Sequence, residues 1–178
     1  MARLILLRHG KAESVSATGG DFDRALTDRG RRDSALIGRA LAEAGVSPDV
    51  ALVSAGRRAL ETWDEVEPAF PKAHMQVVRA LYLAAPEQIT AATQTVAPDL
   101  CVMVVGHNPG LHEYAIALAE PQIAAERLRD FPTAAAAVFR LDDGGSAGGP
   151  GADDAVHDPA LRDVLRGAVG HPAADGAR

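Results

Sequence analysis

Cysteine is nearly absent from this chain: Cys101 is the only one in 178 residues, so no internal disulfide can form, and the composition fits a reducing compartment. In its setting, LCVMVVGH, that thiol reads as a small buried hydrophobe. Positive charge is also in deficit, with 18 Lys and Arg against 24 Asp and Glu and a net charge of −6. Binding nucleic acid by neutralising phosphates needs the opposite balance, so no nucleic-acid partner is expected, although one local basic pocket is still allowed. Long hydrophobic runs are missing as well. No apolar stretch would cross a bilayer, and the run ending at Leu7 is too short for a secretory signal and meets Arg8 at once. The expectation is a cytoplasmic protein with no membrane partner. No internal repeat is visible, and the length suits one domain with a sizeable core.

What is present is an alternation of apolar runs and helical patterns, which predicts β/α units packed into a three-layer α/β/α fold around a mostly parallel central sheet. Residues 4–7 are continuously apolar, as in a strand buried on both faces. A loop rich in Gly, Ser, Thr and Asp follows over 11–24. Thr27 then reads as the N-cap of a helix reaching Ala44, with a stripe of Leu36, Ile37, Ala40, Leu41 and Ala44, and Gly45 ends it. A second strand at 50–53 ends at Ser54, and a helix runs from Arg57 until Pro68 stops it. The pattern places a third extended piece within 77–83, a helix over 87–96 with Pro86 in its first turn, a central strand over 100–105, a helix over 111–118 and a last strand over 133–141. The single domain is expected to cover 1–166. It would include a flexible Gly- and Asp-rich loop at 142–156 and a short capped helix from Asp158 to Leu165, with a disordered tail at 167–178.

Two of these strands end in histidine, as Arg8-His9-Gly10 and Gly106-His107-Asn108, and SAGRRALET sets Ser54 at a third strand end with Arg58 on the next helix. In a parallel sheet these ends share one edge, which is where ligands bind. Burying a guanidinium or imidazole without partners is costly, so a common cleft is the economical placement. Two arginines, two histidines and helix N-termini form a donor set suited to a tetrahedral oxyanion, without need of a metal or cofactor. One imidazole, unprotonated near pH 7, could serve as nucleophile while the arginines stabilise a phosphoryl group in transit. His107 and His112 in HNPGLHE lack the one-turn spacing and intervening glutamate of a zinc protease. His74, His157 and His171 read as surface residues, Lys11 as an exposed lysine, and Trp63 as a packing residue.

The pieces LILLRHGKAE, DFDRALTDRGRRDS, VSAGRRALETW, ALYLAAP, VMVVGHNPGL and FPTAAAAVFRL, in that order from about residue 3 to 141, resemble the histidine phosphatase superfamily, the phosphoglycerate mutase-like fold. They are most similar to the small bacterial SixA-type phosphohistidine phosphatases. The resemblance implies that His9 is a transiently phosphorylated nucleophile, that Arg8 and Arg58 hold the phosphoryl group, and that His107 donates to it. The family's arginine precedes an alanine, which selects Arg58 over Arg57. Ser54 and Asn108 would bind or orient the substrate. Larger members place a carboxylic acid over the pocket. Glu87 is the nearest candidate for a general acid here, although its place in an early helical turn also suits a dipole partner in solvent, and Asp21 and Asp23 are weaker candidates.

A phosphohistidine substrate releases imidazole, a better leaving group than an alkoxide, and so can dispense with a strong acid. A short chain has little room for inserted caps, and an open pocket suits phosphate carried on a protein. The expected function is a metal-independent phosphohydrolase acting on a phosphorylated protein at phosphohistidine, releasing inorganic phosphate. The alternatives are a phosphatase for small phosphate esters and a non-catalytic phosphate- or phosphoprotein-binding module.

Overall fold

The structure, a computed structural model, describes residues 2–141. The expectations for the 142–156 loop, the Asp158 to Leu165 helix, the 167–178 tail and the domain's extent to 166 lie outside the described residues, as do His157 and His171.

Five strands form one sheet: β1 (Ala2–Arg8), β2 (Val50–Ser54), β3 (His74–Val78), β4 (Val102–Gly106) and β5 (Ala136–Leu141), in the order β3-β2-β4-β1-β5. All neighbours are parallel except β5, which pairs antiparallel with β1 along one edge. Because successive side chains of a strand point to opposite faces, the apolar runs feed two cores at once. Leu4, Leu6, Leu52 and Val104 face α3 (Pro86–Thr93) and α4 (Gly110–Leu118), while Ile5, Leu7, Ala51, Val53, Met103 and Val105 face α1 (Asp28–Glu43) and α2 (Arg57–Val66). The three-layer α/β/α expectation is therefore met, with Trp63 packed in the second core. A fifth helix, α5 (Pro121–Arg127), buries none of its residues. That explains why no apolar period announced it.

Local chemistry sets the ends. Thr27 caps α1, its hydroxyl accepting from the Gly30 N–H at 3.0 Å, and Gly45 follows the helix at φ +69°, a conformation that favours glycine. Leu36, assigned above to the buried stripe, is instead exposed; Ile37 and Leu41 face the sheet, and Gly38 lets α1 approach Val66 of α2. The third extended piece also starts earlier than its pattern suggests. β3 covers His74–Val78, and a 3-10 turn occupies Arg79–Leu81. As an edge strand with four of its five residues exposed, β3 has no buried face to impose a period on the sequence.

Register aligns the ends that matter. Arg8 pairs with Gly106 and Val53 with Val105, so His9, His107 and Ser54 leave the sheet along a single edge.

Candidate active site

His9 follows β1 directly and is buried, at 8 % exposure. Its backbone N–H donates to Gly106 O at 3.1 Å, tying the two histidine-bearing strand ends together. Its Nδ1 lies 2.7 Å from Gly10 O, and a carbonyl can only accept, so Nδ1 carries the proton and Nε2 keeps its lone pair. The tautomer is thus fixed by the next residue in the chain. Gly10 itself is required by space: a Cβ there would stand 2.6 Å from Gly30 O. Thr62 locks the same turn, accepting from the Gly10 N–H at 2.9 Å and donating to Arg58 O at 2.6 Å.

Arg58 enters from the first turn of α2 and is 2 % exposed. Its Nε–H donates to His9 Nε2 at 3.2 Å, while Nη1 and Nη2 donate to the backbone oxygen and Oδ2 of Asp21 at 2.8 and 3.0 Å. Arg8 donates from Nη1 to Phe131 O at 2.7 Å, and its buried Nε–H has no partner among the described residues. Burial, with the neighbouring Arg58 cation, lowers the Arg8 pKa, although a guanidinium stays charged in any accessible range.

His107 follows β4 with its ring centroid 5.0 Å from that of His9. Ser54 Oγ accepts weakly from the Gly56 N–H at 3.4 Å and lies 2.7 Å from His107 Nε2, within reach to donate its own hydrogen to that nitrogen in one of the two tautomers. The hydrogen of a neutral His107 then sits on Nδ1, which is buried and has no partner among the described residues. An unmatched N–H on a residue lining the cavity is a ready donor for an oxyanion. Burial, followed by the surrounding cations, pulls His9 down to about 4; the bond to Gly10 O works the other way. Burial, then His9 and the arginines, pulls His107 down to about 3, against the opposing effect of Asp21. Both rings are neutral at pH 7.

These groups line a cavity of about 340 Å³ with Asn108, Lys11, Arg24 and Asp21. Of the residues singled out from sequence, Arg8, His9, Arg58, His107 and Asn108 are brought together there. Asn108 donates from Nδ2 to Phe131 O at 2.9 Å, and its buried Oδ1 has no partner among the described residues. Ser54 reaches the site only through His107. Lys11 is exposed, as expected, yet lines the mouth. Glu87 does not join: it is exposed in the first turn of α3 and is not among the lining residues, the position that suits a dipole partner in solvent. Arg57 is exposed and paired with Glu61 at 2.7 Å, and Asp23 accepts from Thr18 outside the cavity. Cys101 sits at the opposite end of β4, half-buried rather than buried, with its thiol pushed up to about 11 chiefly by burial.

Asp21 and Tyr82 are the residues that sequence reasoning undervalued. The Tyr82 hydroxyl donates to Asp21 Oδ2, Arg24 holds Oδ1 at 2.7 Å, and the Tyr82 ring lies 5.4 Å from that of His107. The hydrogen bond from Tyr82, with Arg58 and Arg24, lowers the Asp21 carboxyl to about 2. The only sequence signals were the DFD in the long loop and the tyrosine of ALYLAAP. No group of three or more His, Cys, Asp or Glu among the described residues could hold a metal ion, and no described helix is long and apolar enough to cross a membrane.

Comparison with known proteins agrees with this geometry. Residues 4–82 match the family described as "Histidine phosphatase superfamily (branch 1)". An uncharacterized protein of Picosynechococcus sp. is 32 % identical over 124 residues, spanning 65 % of this chain and 72 % of its own length. The chain belongs to the histidine phosphatase superfamily.

Within that superfamily, the likeness to the SixA group is borne out by solved structures. The protein assigned as SixA phosphohistidine phosphatase in Agrobacterium tumefaciens is 29 % identical with a TM-score of 0.70, covering 78 % of this chain and 91 % of that one. The protein histidine phosphatase SixA solved with tungstate is 26 % identical with a TM-score of 0.65, covering 79 % and 88 %. The enzyme class is that of a phosphatase of this superfamily. The 2,3-bisphosphoglycerate-dependent phosphoglycerate mutase of Nocardioides sp. is 44 % identical over 61 residues, but the match spans 33 % of this chain and a quarter (25 %) of the mutase.

Proposed function

We propose that the protein removes phosphate from phosphohistidine on other proteins, by way of a phosphoryl group carried transiently on His9. The observation that carries this reading is the fixed tautomer of His9, which turns an unprotonated Nε2 toward the cations that would hold the phosphoryl oxygens. Arg8 and Arg58 would grip and neutralise those oxygens, and the Nδ1–H of His107 would donate to them, so stabilisation is strongest where negative charge spreads in transit. The tungstate bound by the SixA relative is an oxyanion of the same shape class as phosphate.

In the first half of the reaction His9 Nε2 forms a bond to phosphorus as the substrate's P–N bond breaks. The ring then carries positive charge, which Gly10 O stabilises through Nδ1–H. In the second half, water attacks phosphorus, the bond to Nε2 breaks, and inorganic phosphate departs with His9 restored. The identity of the leaving group follows from what the cavity offers. Asp21, the one lining carboxyl among the described residues, is ionised at neutral pH and cannot protonate an alkoxide. Imidazole leaves without that help. This argues against the small phosphate-ester reading, and the intact set of Arg8, His9, Arg58 and His107 argues against a module that only binds phosphate. The charge that a metal ion would supply is provided by the two guanidinium groups, so EDTA is expected to leave the rate unchanged.

A substrate panel tests the proposal. A histidine-phosphorylated protein is expected to be hydrolysed at least about a hundredfold faster, by kcat/KM, than phosphoserine or sugar phosphates, a margin of about 2.7 kcal/mol. Equal or reversed preference would overturn it.

A further inference from the structure

Every donor-bearing nitrogen of Arg58 is engaged, and two of its three contacts are with one residue. Nη1 donates to the backbone oxygen of Asp21 and Nη2 to Oδ2, so the outer fork of the guanidinium is occupied by two oxygens of one residue, one carbonyl and one carboxylate, where it would otherwise face two phosphoryl oxygens. A phosphoryl group can use that fork only by taking it from Asp21. The carboxylate has other ties, however. Tyr82 donates to Oδ2, and Arg24 donates to Oδ1 from both Nε and Nη2, at 2.8 and 2.7 Å. The segment is also pinned at its base by the Ala12 to Leu26 bridge and by the Glu13 N–H to Ala25 O bond of 2.8 Å. When Arg58 turns to the phosphoryl group, Asp21 therefore stays at the wall of the cavity with an Oδ2 lone pair released toward it.

An anion left beside a bound phosphoryl group repels it, unless the group between them carries positive charge or an N–H. A phosphorylated imidazole protonated on its second nitrogen has both. We propose that Asp21 selects the leaving group, accepting a hydrogen bond from the free ring N–H of a phosphohistidine and penalising phosphate esters of alcohols; this deepens the phosphohistidine reading and rests on it.

The step balances without an acid. As His9 Nε2 bonds to phosphorus, the electron pair of the substrate's P–N bond returns to the positively charged ring, which leaves as neutral imidazole with its N–H still in place. No proton moves to the departing nitrogen. An alcohol ester would have to expel an alkoxide or receive a proton there, and the strong depression of the Asp21 carboxyl leaves it none to give. The arrangement also makes the transfer close to symmetric: one imidazolium N–H rests on Asp21, and the other, on phosphorylated His9, rests on Gly10 O.

The test uses Asp21→Asn, which keeps the shape and removes the charge, with free phosphohistidine, phosphoserine and inorganic phosphate as probes. The expected results are a fall of about tenfold in the ratio of kcat/KM for phosphohistidine to that for phosphoserine, and about tenfold tighter inhibition by inorganic phosphate, the scale of one partly screened charge interaction. If that variant does not fold, Asp21→Ser, which also removes the charge, should shift the ratio in the same direction. An unchanged ratio in the variant, where the wild-type enzyme does hydrolyse phosphohistidine, would overturn this inference and leave the proposed function standing. A wild-type enzyme inactive on phosphohistidine would overturn both.

Discussion

Arg58 Nε–H donates to His9 Nε2 across 3.2 Å, inside the protein. A permanently charged donor can approach that nitrogen only while it is unprotonated, so the contact keeps Nε2 free of a proton, and its lone pair becomes available for attack when Arg58 turns to the phosphoryl oxygens. It also sets the main phosphoryl-binding cation beside the attacking atom before any substrate arrives, which is the preorganisation that lowers barriers for charge in transit.

Removing this cation should be severe. Arg58→Ala is expected to lower kcat/KM by about a hundredfold or more, the scale for loss of one preorganised donor. Arg57→Ala, which removes an exposed partner of Glu61, should change it by less than about twofold. Steady-state kinetics on both variants checks this, and equal losses would mean that Arg58 is not the phosphoryl ligand.

How much of this was legible beforehand depends on where each residue gets its position. Arg8, His9 and His107 are placed by the strands immediately before them, and Arg58 by the helix that starts beside it, so local pattern and a parallel sheet suffice to bring them together. Asp21 opens one short 3-10 turn (Asp21–Asp23) and Tyr82 closes another, and their contact exists only through the tertiary fold. No period in the sequence encodes it. Glu87 looked suitable because it follows the ALYLAAP motif, but α3 begins there and presents the side chain to solvent. β3 and α5 were misplaced or missed for one reason: neither buries a face of its own.

Glu87→Gln should accordingly leave the rate within about twofold for both phosphohistidine and phosphoserine, as expected for a surface change remote from the chemistry. A selective loss on phosphoserine would restore Glu87 as an acid.

Ser54 offers a test of the second histidine. Its hydroxyl lies 2.7 Å from His107 Nε2 and, by donating there, would keep the hydrogen on Nδ1. Ser54→Ala should reduce kcat by about tenfold, the scale of one lost hydrogen bond to a buried group, while Ser54→Thr should recover most of it. NMR of the imidazole nitrogens should show the two His107 tautomers becoming mixed in the alanine variant; an unchanged tautomer with full activity would remove Ser54 from the account.

Stability should respond to acid in a defined window. His9 and His107 titrate at about 4 and about 3 in the folded protein, below the ordinary histidine value of 6.5. Between those limits the unfolded chain takes up protons that the folded protein refuses, so stability falls as pH drops from about 6.5 toward 4. Asp21, lowered to about 2, adds to this fall only below about 3.8, where its own stabilising contribution is lost as the carboxyl protonates. Urea midpoints at pH 7.5 and 5.0 should therefore differ, with the lower value at pH 5.0, and the difference should shrink in His9→Gln. A difference of the same size in that variant would contradict the assigned protonation state.

The most direct measurement is to locate the phosphoryl group during turnover. The enzyme is mixed with a histidine-phosphorylated protein, quenched in alkali within a single turnover, digested, and sequenced by mass spectrometry. The account predicts a phosphoryl group on His9, as the Nε2 isomer, which is absent from His9→Ala along with all turnover. Hydrolysis without a phosphorylated enzyme, or with the group on any other residue, would contradict it.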